Sequence, residues 1–94
     1  MKIKDITGYI EQLAPLTYQE SYDNAGLIVG NPDDKVNKIL LCIDSTEAVI
    51  DEAIKNKCNL IIAHHPITLN GIKKLTGKTY MERVLIKAIK HDIA

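Results

Sequence analysis

Two short apolar runs, separated by an amphipathic segment, constrain the fold of this chain more than any other feature. Residues 38–44 are nearly all apolar until Asp44, and residues 59–63 are a second apolar run. Continuous runs of this length are typical of strands covered on both faces, as in a parallel sheet. Residues 46–57 between them have helical spacing, so the three segments together predict a βαβ unit.

Two further helices are predicted, one on each side of this unit. Residues 2–13 place apolar side chains on one helical face, and Pro15 ends that helix. Residues 79–82 have the pattern of a capping box that opens the last helix. The predicted buried faces are, from first helix to last, Ile3, Ile6, Ile10 and Leu13; Ala48, Val49, Ile50, Ala53 and Ile54; and Tyr80, Val84, Leu85, Ala88 and Ile89.

The connecting segments complete the predicted architecture. We expect loops at 17–24 and 67–78, a strand at 26–30 between two glycines, and a turn at 31–34. Ile93 and Ala94 resemble the start of another strand. The sequence therefore predicts one α/β domain over residues 1–94, a helix followed by βαβ units with a mainly parallel sheet, and we expect it to be the N-terminal part of a longer protein.

Composition excludes several classes of function. Twelve basic residues balance twelve acidic ones, so no cationic surplus favours general nucleic-acid binding. Cys42 and Cys58 form no CxxC motif and lie in or beside apolar runs, which favours free thiols in the interior. No signal peptide or membrane-length apolar run is present. We therefore expect a cytoplasmic protein that does not bind membranes.

Three polar residues of metal-ligand type follow the two predicted strands. Asp44 ends the first strand, and His64 and His65 follow the second. Because ligands gather at the carboxyl ends of parallel strands, we expect the three to converge on one edge of the sheet. Consecutive strand residues point to opposite faces, and Pro66 favours an extended His65, so the two imidazoles are predicted to diverge and serve two neighbouring ions.

Each of these residues also has a structural interpretation. A single histidine is more often structural than a ligand, but burying two imidazoles costs free energy unless both are paired, which favours ligation by the pair. Either Asp44 or Ser45 can instead cap the following helix. His91 is interpreted as a solvated residue near a helix end. The loop lysines are interpreted as a solvated face or, in a weaker hypothesis, as a site for a phosphorylated substrate; they are Lys73, Lys74 and Lys78.

The order and spacing of three motifs resemble the N-terminal segment of the Nif-three-like family, also called YbgI or dinuclear-metal-centre hexameric proteins. Many members are named GTP cyclohydrolase 1 type 2. The motifs are Tyr22-Asp23-Asn24-Ala25-Gly26-Leu27 followed by Val29-Gly30, Ile43-Asp44 before a helix, and Ala63-His64-His65-Pro66. Tyr22 replaces the Trp usual in the family. The resemblance covers essentially the whole chain.

The resemblance implies an α/β fold in a toroidal hexamer with two divalent transition metal ions per subunit, drawn from Zn, Fe, Ni, Co or Mn. His64 and His65 match the family's first two ligands. The other ligands, a later Asp and a C-terminal His and Glu, are outside this sequence. The implied function of the full-length form is a metal-dependent hydrolase acting on a nucleotide or phosphorylated small molecule, in which Asp44 orients a ligand or the attacking water. The alternative is a non-catalytic metal-binding or assembly module.

Overall fold

Helices and strands alternate along the chain, as the apolar pattern predicts. The computed structural model describes residues 1–14, 25–67, 69 and 72–94. Its elements are α1 (Ile3–Leu13), β1 (Ile39–Cys42), α2 (Glu47–Lys55), β2 (Leu60–Ala63) and α3 (Tyr80–Lys90). The two strands are parallel, with Ile39 opposite Leu60 and Cys42 opposite Ala63. The predicted α/β class and βαβ unit are confirmed.

Threonine side chains set the first turns of α2 and α3. Thr46 Oγ1 accepts a hydrogen bond from the Val49 amide at 3.2 Å, so the prediction that Asp44 or Ser45 caps α2 is wrong. At α3, Thr79 Oγ1 accepts from the Glu82 amide at 3.3 Å. The Glu82 carboxylate in turn accepts from the Thr79 amide at 3.2 Å, which confirms the predicted capping box.

The hydrophobic core lies where α2 and α3 cover one face of the sheet. Leu40 of β1 and Ile61 of β2 pack against a buried cluster contributed mainly by the two helices. The cluster members are Ile50, Ala53, Cys58, Val84, Ala88 and Ile93. Leu40 and Ile61 are directly opposite in the register. Because paired residues of neighbouring strands point to the same face of a sheet, both side chains lie on the covered face.

Five residues predicted to lie on buried helix faces are exposed: Ile10 and Leu13 on α1, Ala48 on α2, and Tyr80 and Ile89 on α3. Tyr80 is 57% exposed and Ile89 is 52% exposed, and each lies about 90° around α3 from the buried stripe at 100° per residue. Ala48 lies on the opposite side of α2 from Ile50 and is also exposed. The remaining members of the α2 and α3 stripes are buried or half-buried, because only side chains near the centre of each stripe reach the sheet or the other helix.

The outer face of β1 is not covered by the described residues, so the prediction of a strand buried on both faces is wrong for β1. Ile39, Leu41 and Ile43 are 40%, 72% and 62% exposed. These three alternate residues form what we call the β1 apolar strip. In β2, by contrast, Leu60 is only 3% exposed. The continuous apolar pattern therefore predicted the strand correctly but not the burial of its second face.

Residues 26–30 do not form the strand that the sequence predicts. Gly26 and Gly30 have φ values of 114° and 119°, which interrupt extended backbone at both ends of the run. Val29 packs against the core cluster instead of joining the sheet. A Cβ at Gly30 would lie 2.5 Å from the Ala94 Cβ, so this position needs glycine for its space as well as for its φ.

The predicted turn and the predicted start of a third strand are both present. In the turn at 31–34, the Asp34 amide donates to the Asn31 carbonyl at 3.1 Å. Ala94 donates to the Asn59 carbonyl at 2.9 Å and accepts from the Ile61 amide at 2.8 Å, the hydrogen bonds of a parallel strand beside β2. The predicted loop at 17–24 and Pro15 lie outside the described residues.

Glu82 ties the segment before α3 to the helix and makes stability depend on pH. The side chain is buried, and its carboxylate accepts from the amides of Thr76 and Thr79 at 3.0 and 3.2 Å and from both hydroxyls. The Thr76 amide first, and then the Thr79 hydroxyl, lower the pKa of Glu82 below its ordinary value of 4.5. Its contribution is therefore complete above 4.5 and is lost as pH falls through the lower folded-state pKa.

Glu82→Gln is accordingly expected to lower the free energy of unfolding at neutral pH and to flatten its decline in acid. Urea unfolding followed by circular dichroism between about pH 3 and pH 6 measures both effects. Glu52→Gln, at an exposed position on α2, is the control. Parallel pH profiles for the wild type and Glu82→Gln would contradict this expectation, because they would mean that folding does not change the pKa of Glu82.

Candidate metal centre

The structure brings the three predicted site residues together at one edge of the sheet. His64 and His65 follow β2 directly, and Asp44 lies two residues beyond β1. Since the strands are parallel, both carboxyl ends meet at this edge. Asp44 Oδ1 lies 2.9 Å from His65 Nδ1, with both side chains more than half exposed. The convergence predicted from strand order is therefore present.

The two imidazoles do not diverge as the sequence predicts. Their ring centroids lie 4.8 Å apart, with an angle of 49° between the planes. The His64 amide donates to the Cys42 carbonyl at 3.0 Å, and the His65 amide donates to the Ile43 carbonyl at 2.9 Å. In a regular parallel strand, consecutive amides do not both donate to the same neighbour. The backbone has left the strand pleat at this point, so alternation no longer separates the rings.

The contact with Asp44 assigns different roles to the two nitrogens of His65. Because a carboxylate accepts hydrogen bonds, the contact favours the tautomer of the neutral imidazole in which Nδ1 is the donor and Nε2 has the free lone pair. Metal-ligating histidines usually donate their second ring N–H to a carboxylate or carbonyl in this way. The donor chemistry of His64, His65 and Asp44 therefore fits a site for a divalent transition metal.

The described part of the chain contributes only part of such a site. Among residues 1–14, 25–67, 69 and 72–94, no group of three or more His, Cys, Asp or Glu side chains is placed to hold a metal ion. A closed zinc site takes four ligands, so two imidazoles leave the coordination sphere incomplete.

The other candidate residues from the sequence lie away from this edge of the sheet or are unsuited to binding a metal ion. His91 is at the end of α3, exposed, with Nδ1 3.0 Å from the Lys87 carbonyl oxygen. Cys58 is buried before β2, at the opposite end of that strand from the histidines. Burial raises the pKa of the Cys42 thiol, against the opposing effect of its hydrogen bond with Ser45, so the thiolate is disfavoured. The loop lysines are exposed.

A surface pocket beside Asp44 and His65 was not predicted from the sequence. Its volume is about 350 Å³, and its wall includes Tyr80 and Met81 from the first turn of α3. The helical spacing predicted Tyr80 on the buried face of α3, so the sequence did not indicate that Tyr80 lines a surface pocket.

No helix within the described residues has the length and apolar character that crossing a bilayer requires.

Comparisons with known proteins identify the family to which this chain is similar. The family model of Duf34/NIF3 (NGG1p interacting factor 3) matches residues 1–94. A Clostridium acetobutylicum protein named "GTP cyclohydrolase 1 type 2 homolog" is 42% identical over 93 residues, which cover 99% of this chain and 35% of the relative. A Staphylococcus aureus crystal structure matches with a TM-score of 0.91 and 38% identity, over 99% of this chain and 26% of that chain.

A third relative comes from an archaeon. The structure of reduced HcgD from Methanocaldococcus jannaschii matches with a TM-score of 0.88 and 33% identity, over 99% of this chain and 37% of that chain. The chain thus spans between about a quarter and somewhat more than a third of the length of these relatives. A match of the family model along residues 1–94, together with this structural similarity, shows that the chain belongs to the Duf34/NIF3 family.

Proposed function

We propose that this chain supplies His64 and His65 as ligands to a metal centre, and that the full-length form is a metal-dependent hydrolase. The observation that supports this proposal is the 2.9 Å contact between Asp44 Oδ1 and His65 Nδ1, with the His64 ring directly beside it. A carboxylate that orients an exposed imidazole is the usual outer partner of a metal ligand.

Two divalent transition ions per subunit, drawn from Zn, Fe, Ni, Co or Mn, fit the donors in this part of the site. Neutral imidazole binds all of these metals, and two imidazoles with centroids 4.8 Å apart are close enough to serve ions about 3.5–4 Å apart. Such ions supply Lewis acidity that activates water for hydrolysis near neutral pH. Asp44 would accept a hydrogen bond from His65 Nδ1, which would leave Nε2 as the nitrogen that binds an ion.

The substrate class and the assembly belong to the same proposal. A nucleotide or a phosphorylated small molecule is the proposed substrate, supported by the name "GTP cyclohydrolase 1 type 2 homolog" that the Clostridium relative carries. Homo-oligomers, with a hexamer for the full-length form, are the proposed assembly. The β1 apolar strip supports association, because exposed apolar side chains on consecutive alternate positions are typical of surfaces that become covered.

Metal content of the longest natural form tests the proposal. His64→Ala and His65→Ala are each expected to remove roughly one ion per chain, because each takes away a ligand that has no substitute among the described residues. Inductively coupled plasma mass spectrometry after dialysis measures the occupancy. His91→Ala is the matched control, since His91 is an exposed histidine away from the site. Unchanged occupancy in both site variants would end the proposal.

A second candidate function is a non-catalytic metal-binding or assembly role. It is favoured because, within the described residues, no group of three or more His, Cys, Asp or Glu side chains is placed to hold a metal ion. The two candidate functions differ in whether the metal-loaded protein converts a substrate into product. Metal-loaded full-length protein that releases no product from nucleoside triphosphates or phosphorylated small molecules, while retaining both ions, would favour the second candidate.

A further inference from the structure

The pocket beside the candidate metal centre has a composition that indicates what it binds. It is about 350 Å³ in volume, which lies at the lower end of the range for small-molecule sites. Asp44, Ser45 and Thr46 contribute to its wall from the start of α2, and Pro66, Tyr80 and Met81 contribute from the other elements. Polar oxygens and apolar side chains thus both face one concave surface.

Tyr80 is the aromatic residue of the pocket wall, and it is exposed. Its side chain is 57% exposed, although it occupies the first turn of a helix that buries Val84, Leu85 and Ala88. An aromatic ring beside a pocket offers a flat surface for stacking against another planar ring. Met81 and Pro66 add apolar contacts next to it. This part of the pocket is therefore suited to a ring rather than to a flexible chain.

The charged side chains of the wall do not favour an anionic group in this pocket. Among the described residues that line it, none is Lys or Arg, and Asp44 is the acidic one. A phosphate or carboxylate placed here would meet the Asp44 carboxylate, and no Lys or Arg of the wall would balance the repulsion. An uncharged ring with N–H or carbonyl groups meets complementary partners, because Asp44 accepts hydrogen bonds and the Ser45 and Thr46 hydroxyls both donate and accept.

We propose that this pocket binds an uncharged aromatic or heteroaromatic ring of the substrate, with Tyr80 as the stacking surface. Any role of this pocket in catalysis rests on the proposed hydrolase function, because the pocket lies beside His65, a proposed metal ligand. Ring binding itself requires only the pocket wall. It can therefore be measured in metal-free protein, separately from metal occupancy.

Two probes of similar size distinguish ring recognition from simple apolar binding. Benzamide and cyclohexanecarboxamide carry the same amide, but only benzamide is planar and aromatic. Saturation-transfer NMR titrations on the longest natural form, stripped of metal, should show benzamide binding roughly fivefold or more tightly than its saturated counterpart. Inorganic phosphate at the same concentrations should not displace benzamide. Equal affinities for the two amides, no binding of benzamide, or displacement by phosphate would each overturn the proposal.

Variants of Tyr80 locate the binding. Tyr80→Ala should weaken benzamide binding roughly five- to a hundredfold, whereas Tyr80→Phe keeps the ring and should retain it. Tyr9→Ala is the matched control, because Tyr9 is 62% exposed on α1. Equal affinities for Tyr80→Ala and Tyr9→Ala would overturn the assignment. If His64→Ala loses metal while benzamide still binds at Tyr80, both proposals stand, and loss of either result alone identifies which one has failed. His65→Ala is not used in this comparison, because His65 lines the pocket.

Discussion

Asp44→Asn is expected to weaken metal binding roughly 10- to 100-fold, the usual loss when the outer partner of a ligating histidine is changed. Asparagine is nearly isosteric and still offers an oxygen to His65 Nδ1, which lies 2.9 Å from the carboxylate in the structure. The amide has no negative charge, so it neither holds the Nδ1 proton as firmly nor raises the basicity of Nε2. The change therefore acts on the ion through His65 and not on the fold.

Competitive titration with a chelator of known affinity measures this loss in the longest natural form. Asp33→Asn is the control, because Asp33 is an exposed carboxylate in the turn at 31–34 and pairs with Lys4 at 3.2 Å. Combining Asp44→Asn with His65→Ala separates direct from indirect effects. If Asp44 acts through His65, the double variant should bind metal no more weakly than His65→Ala alone. Fully additive losses would show an independent role for Asp44.

Ile50→Ala is expected to lower the free energy of unfolding by about 2–5 kcal/mol. Ile50 is 2% exposed and belongs to the cluster between α2, α3 and the sheet. Truncation removes apolar contacts and leaves a cavity beside Val84 and Ala53, which backbone relaxation fills only in part. Since domains of this size are commonly stable by about 5–15 kcal/mol, the loss is a large share of the total.

Urea unfolding of the wild type and the variant measures this effect. Ile89→Ala provides the matched control, because Ile89 is the same type of residue but is 52% exposed on α3. Its expected change is within about 0.5 kcal/mol, as for most surface substitutions. Similar losses for the two variants would mean that burial of Ile50 in the core cluster is not the cause of the effect.

The elements of the fold could be predicted because each leaves a local signal. The alternation of apolar runs and helical stripes identified β1, α2 and β2, and the Thr79 and Glu82 pattern identified the start of α3. The sequence did not indicate in the same way whether the second face of each strand is covered. Ile39, Leu41 and Ile43 look like interior residues in sequence, but coverage depends on what packs against the strand, and periodicity carries no information about that.

The candidate site was predicted in its position but not in its geometry. Strand order alone placed Asp44 beside the histidines, because parallel strands end at one edge. The relative orientation of His64 and His65 depends on where the strand pleat stops, which is determined by two main-chain hydrogen bonds with no sequence signature. Tyr80 joins the pocket because of where α3 docks, a long-range arrangement that its helical position did not indicate.

Main-chain anchoring of the histidine pair has a consequence for how the surrounding sequence can evolve. The amides of His64 and His65 are held by the carbonyl oxygens of Cys42 and Ile43, and every amino acid carries such an oxygen. Lineages can therefore exchange the side chains at 42 and 43 without displacing the imidazoles, provided the strand persists. The position of the two rings then depends on the course of the main chain and not on the identity of the neighbouring side chains.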